Sequence, residues 1–305
     1  LSEAAPPVRR VEIAGMSALE IGDPAHAIGL VFLHANGFHA AVYAEMLTPF
    51  AVGRRILAPD LRGHGRTTLP ADPRSVTSWA PFVTDVLALL DAIDGPPVVM
   101  AGHSLGGSVA LLVAARAPER VRALALFEPV IAPQTFHTLM RVPPARLVSR
   151  RAIPIARATA NRRRWFASKE AAVEAYRGRG GFRAWPESAL KAYVEEGFVE
   201  GPETAEGERG VVLRCDPAWE TAIYVALGND VWGALQRARM PLVIRAGHRG
   251  STFRPSSEER LKRVRPDADV ARYMDLGHHF PIVRPDLFSE ALERALAAGL
   301  APASG

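Results

Sequence analysis

Short apolar runs punctuate the chain, and between them apolar residues recur at intervals of three and four. The first pattern is that of buried strands and the second that of amphipathic helices. Their alternation predicts an α/β fold, a mostly parallel central sheet with helices on both faces. Residues 8–13 and 16–21, joined across Gly15, predict an antiparallel hairpin leading into the sheet. Residues 29–33, 55–59, 98–101 and 121–127 predict buried strands, with helices near 43–50, 82–93 and 105–117 between them. After a long gap come strands at 242–246 and 270–274 and helices at 256–264 and 285–298.

The gap, residues 133–240, carries no strand signal until it nears its end and predicts a helical lid inserted between two strands. Pro186 and Gly197 bracket a helix over 187–196, since proline suits a first helical turn and glycine ends one. Asp216 followed by Pro217 predicts the start of another, running to residue 227. The expected division is a core of residues 1–132 and 241–305 with a lid of residues 133–240.

Composition narrows the class. The 305 residues are 48% apolar and 23% charged, ordinary for a soluble enzyme, and the single cysteine, Cys215, excludes a disulfide-stapled scaffold. No apolar run approaches the roughly 20 residues that span a bilayer. Residues 1–7 show no basic region followed by an apolar segment, so a cytoplasmic location and no membrane partner are expected. The net charge of +5 comes almost wholly from arginine. Arg162-Arg163-Arg164, ahead of Trp165 and Phe166, is short and unaccompanied by a nucleic-acid motif; it is expected to be a solvated helix face, with no nucleic-acid partner. The nine histidines lack metal-ligand spacing, and no cofactor is expected.

The chemistry concentrates in three loops. Gly102-His103-Ser104-Leu105-Gly106 fits G-x-S-x-G between a predicted strand and an alanine-rich helix. A serine there sits on a sharp, strained turn, and its neighbours two before and two after must be small. His34-Ala35-Asn36-Gly37-Phe38 follows a buried strand, and Gly277-His278-His279-Phe280-Pro281 follows the last one.

Over its whole length the chain resembles the α/β-hydrolase superfamily. The resemblance implies Ser104 as nucleophile and an oxyanion hole from the backbone N–H groups of Asn36 and Leu105, with Ala35 where glycine is usual. In that family the base precedes an aromatic residue and proline, which selects His279 over His278. The segment Asp60-Leu61-Arg62-Gly63-His64-Gly65 matches a family signature that is usually structural. The usual acid follows the strand before last, but Gly247-His248-Arg249-Gly250-Ser251 has no carboxylate. Glu128, 24 positions after Ser104, stands at the location some family members use, and Asp230 and Glu220 are weaker candidates.

A serine nucleophile implies acyl transfer on an ester or lactone rather than the aspartate chemistry of epoxide hydrolases or haloalkane dehalogenases. Carbon–carbon bond hydrolases and cofactor-free perhydrolases are the enzymatic alternatives; a non-catalytic binding protein on the same fold is the other class. The expected partner is a small ester or lactone with an apolar group. Phe38, His103, Trp165, Trp185 and Trp219 are its expected contacts, within an aromatic-rich lid.

Overall fold

The computed structural model describes residues 6–140, 142, 152–203, 207 and 209–300; residues 1–5 of the N-terminal stretch read for a leader lie outside them. Among the described residues eight strands form one sheet in the order β1-β2-β4-β3-β5-β6-β10-β11. They are β1 (Val8–Ile13), β2 (Met16–Ile21), β3 (Ile28–Leu33), β4 (Arg55–Pro59), β5 (Val98–His103), β6 (Val121–Phe127), β10 (Leu242–Arg249) and β11 (Asp269–Gly277). The β1–β2 hairpin is antiparallel and pairs antiparallel with β4, and β4, β3, β5, β6, β10 and β11 run parallel.

The period-2 alternation of these strands builds two separate cores. Met100, Leu124, Leu126, Leu242 and Ile244 face one side, against the helices Ala80–Ala92 and Leu105–Ala114. Ala101, Ala125, Phe127 and Val243 face the other, against the helix Pro285–Ala298. Because both faces are covered, the parallel strands read as continuous apolar runs. The helix expected near 43–50 is instead three short turns, Ala40–Tyr43, Ala44–Leu47 and Thr48–Ala51. Pro49 lies in the last of these and has no N–H to continue an α-helix.

The segment between β6 and β10 departs from the expected all-helical lid. Besides the helices Lys169–Tyr176, Glu187–Gly197, Pro217–Val225 and Val231–Arg237, it holds a three-stranded antiparallel sheet in the order β7-β9-β8. The strands β7 (Trp165–Phe166), β8 (Phe198–Glu200) and β9 (Val211–Leu213) are two or three residues long. A period of two cannot be read from so few positions. The arginine run is also corrected. The helix Pro154–Ala160 ends before it. Arg162 turns inward to Glu220 (2.8 Å), Tyr176 (3.0 Å) and Tyr193 (2.8 Å). Arg163 stacks over Phe166, and Arg164 pairs with Asp216 at the surface. Among the described residues no helix is long and apolar enough to cross a membrane.

Candidate active site

Ser104 lies between β5 and the helix Leu105–Ala114 with φ 54° and ψ −114°. This conformation costs a non-glycine residue on the order of 1–3 kcal/mol. The flanking glycines permit it: a Cβ on Gly102 would stand 2.5 Å from the Gly106 backbone, and one on Gly106 would collide with the Leu33 carbonyl. The Ser104 N–H bonds the Phe127 carbonyl (2.8 Å), which ties the turn to β6.

The side chain of Ser104 meets His278, not His279. His278 Nε2 lies 2.9 Å from Ser104 Oγ, and His278 Nδ1 lies 3.1 Å from Glu128 Oε2. A carboxylate only accepts, so Nδ1 carries the proton and Nε2 turns its lone pair to the serine O–H. The expectation for His279 is thereby corrected by one position. β11 runs on to Gly277, so His278 is the first residue past the sheet, where its ring reaches the serine. His279 instead precedes the short helix Phe280–Val283 and turns toward the insertion, with Nδ1 2.9 Å from the Gly181 carbonyl oxygen and 3.2 Å from Trp185 Nε1. Burial, with a further contribution from His278, pushes the His279 pKa down to about 4, so its ring is neutral.

Glu128 is fully buried at the end of β6 and also has positive φ, 50°. Its carboxylate accepts from the Gly247 N–H, Ser251 Oγ (2.9 Å) and the Thr252 N–H (3.3 Å) as well as from His278. The end of β10 and the loop after it, with no acid of their own, thus supply the donors that hold one delivered from the end of β6. Sequence reasoning missed those donors. Their signal is the pair of hydroxyl residues, Ser251-Thr252, just past β10. The other two carboxylates lie elsewhere. Asp230 caps the helix Val231–Arg237 by accepting from the Gly233 N–H. Glu220 pairs with Arg162.

The loop after β3 is pinned from several sides. His34 Nδ1–H donates to the Ala35 carbonyl (2.7 Å) and its Nε2 accepts from the Leu61 N–H (2.8 Å), and burial lowers its pKa well below the usual value. The Asn36 side-chain amide donates to the Glu220 carbonyl (3.0 Å). That amide, and the Asn36 oxygen 3.2 Å from His64 Nε2, tie the side chain to the protein. Leu105 opens its helix, where the first N–H groups have no intrahelical acceptor and favour negative charge.

The five expected substrate contacts separate. Phe38 and Trp185 meet edge to face with ring centres 5.1 Å apart, and His279 lies 5.4 Å from Phe38 and 5.6 Å from Trp185. These three rings form an aromatic wall in which Phe38 and Trp185 are buried and the His279 ring centre lies 5.8 Å from that of His278. The other three are corrected. His103 is wholly buried, with both ring nitrogens bonded to protein. Trp165 packs on Gly201 and Gly210 in the small sheet. Trp219 donates to the Arg62 carbonyl (3.0 Å) and packs against Phe82 in the core.

A model of the alpha/beta hydrolase family matches residues 30–291. The chain belongs to that family. This α/β-hydrolase is similar to 2-hydroxymuconate semialdehyde hydrolase of Pseudomonas sp. strain CF600, at 32% identity over 40% of the chain and 43% of the relative. It is similar also to Lipase LipV of Mycobacterium tuberculosis, at 46% identity over 25% of the chain and 28% of the relative. In each case the match spans less than half of the relative's length. Among solved structures, an M. tuberculosis esterase superposes with a TM-score of 0.70 at 21% identity, over 97% of this chain and 94% of that one. At that identity the likeness shows the shared fold. Among the described residues no group of three histidine, cysteine or acidic side chains could hold a metal ion.

Proposed function

We propose that this α/β-hydrolase cleaves a carboxylic ester or lactone through an acyl-enzyme, with Ser104 as nucleophile, His278 as base and Glu128 as acid. The observation that carries the proposal is the continuous line from Ser104 Oγ through His278 to the buried Glu128 carboxylate. His278 takes the serine proton as Oγ attacks the carbonyl carbon, and returns a proton to the departing alcohol oxygen. Glu128 keeps the productive tautomer and stabilises the imidazolium that forms. The N–H groups of Asn36 and Leu105 receive the tetrahedral oxygen; one such donor is worth about 2.7–4 kcal/mol of barrier. Water then enters and the same base drives deacylation.

The insertion over this site is a cap, and the wall of Phe38, Trp185 and His279 favours an apolar acyl or alcohol group. No nucleic acid, membrane or cofactor has a part in this reading. Turnover of p-nitrophenyl esters and simple lactones by the wild type, lost in Ser104→Ala, tests it. The likeness to 2-hydroxymuconate semialdehyde hydrolase favours a second reading, carbon–carbon bond hydrolysis by the same residues. Activity on a ring-cleavage semialdehyde, with none on any ester, would select that one.

A further inference from the structure

Beneath the candidate triad runs a second line of hydrogen bonds with a definite direction. His103 Nε2 lies 2.9 Å from the His278 carbonyl oxygen. That oxygen can only accept, so Nε2 carries a proton. Burial, reinforced by the neighbouring His278 and His279, drives the His103 pKa well below its usual value, so the ring is neutral and Nδ1 is a lone pair. Tyr43 Oη, 2.7 Å from Nδ1, must therefore donate to it, and the Tyr43 oxygen accepts from the Ala35 N–H at 3.4 Å. Ala35, Tyr43 and His103 thus donate in one sense, from the oxyanion loop under the serine to the His278 carbonyl in the base loop. Bonds aligned in this way polarise and strengthen one another. Both Tyr43 and His103 are fully buried.

The end of this line explains its use. The β10–β11 ladder stops at the pair Arg249 and Gly277, so the sheet does not fix the next peptide unit, that of His278. His103 holds that carbonyl. We propose that His103, with its tautomer set by Tyr43, is a positioning residue that orients the backbone of His278 and thereby aims its ring at Ser104. The inference rests on the hydrolase reading, which gives His278 its task.

The test compares His103→Leu, His103→Gln, Tyr43→Phe and the Leu/Phe double variant on a p-nitrophenyl ester, with Ser104→Ala alongside. A misplaced reacting group costs on the order of a hundredfold, so His103→Leu should lose about that much in kcat with KM within about threefold. A glutamine amide nitrogen can stand where Nε2 stands, so His103→Gln should recover most of the loss. Tyr43→Phe should lose about tenfold, and the double variant should be no worse than His103→Leu, because the two act as one chain. If His103→Leu does not fold, Tyr43→Phe and His103→Gln still carry the test. A wild-type kcat for His103→Leu overturns the inference. So does a glutamine variant as damaged as the leucine one, with KM rising as kcat falls and losses that add with Tyr43→Phe. An active Ser104→Ala removes the hydrolase reading itself, a separate failure visible in the same assay.

Discussion

Replacing Glu128 by glutamine removes one charge and one acceptor from a site where four donors converge. Gly247 N–H meets Oε1, while Ser251 Oγ, Thr252 N–H and His278 Nδ1 meet Oε2. An amide offers one oxygen and one NH2, and each way of placing it fails differently. With NH2 toward His278 it also faces the Thr252 N–H, and the imidazole must move its proton to Nε2 and can no longer accept from Ser104. With NH2 toward Gly247, two buried donors face each other, at a cost of about 1–3 kcal/mol. The first placement spares the Gly247 contact and breaks the base. In both, the imidazolium loses its counter-charge. The corresponding change in a serine protease lowers kcat about ten-thousandfold, and at about 1.36 kcal/mol per decade this is roughly 5 kcal/mol of barrier. Glu128→Gln should therefore fold, with a modest loss in thermal midpoint, and lose three to four decades, about the protease figure. Steady-state kcat on p-nitrophenyl butyrate, with circular dichroism and thermal unfolding on the same samples, measures both quantities. A folded glutamine variant within about tenfold of wild type would refute the assignment, since the triad acid matters far more than that.

Three further outcomes follow from the geometry. His278→Ala should lose at least about three decades of kcat while His279→Ala retains turnover of an acetate ester; the reverse would place the base one residue later. Trp185→Ala should shift the preference between acetate and bulky acyl esters by about tenfold or more, and equal losses on every ester would make the wall purely structural. Burial lowers the pKa of His34, His39, His64 and His103, that of His64 from 6.5 to about 4, so all four fold as neutral rings. The unfolded chain then binds more protons as pH falls from 6.5 toward 4. The stability these groups lend is complete above the unfolded value and is lost as pH falls below it, about 3 kcal/mol for His64 alone between 6.5 and about 4. Thermal midpoints should fall accordingly and His64→Gln should flatten the slope; a flat wild-type profile would contradict it.

The fold was legible because burial on both faces writes each parallel strand as an apolar run, and β1, β2, β4 and β6 match the sequence reading to the residue. Glu128 was legible by a different route, the want of a carboxylate in residues 247–251 together with its presence at the end of β6. The choice between His278 and His279 was not. It depends on where β11 ends, and one residue there turns a ring from the serine to Gly181. The tryptophans failed as substrate contacts for a related reason: composition marks a residue as large and apolar but not which body it faces. Trp185 faces the site loops, Trp165 the small sheet and Trp219 the core under Arg62. The strands β7, β8 and β9 are too short to leave a pattern, and β7 pairs with β9 across more than forty residues.

An acyl-enzyme mechanism requires that Ser104 become acylated during turnover. Rapid acid quench of the wild type mixed with p-nitrophenyl acetate, followed by intact-mass and peptide mass spectrometry, reads this directly. One acetyl group per chain is expected, on the peptide that carries Ser104 and absent from Ser104→Ala. Turnover by the wild type with no adduct on that peptide, or an adduct of equal yield in Ser104→Ala, would contradict it.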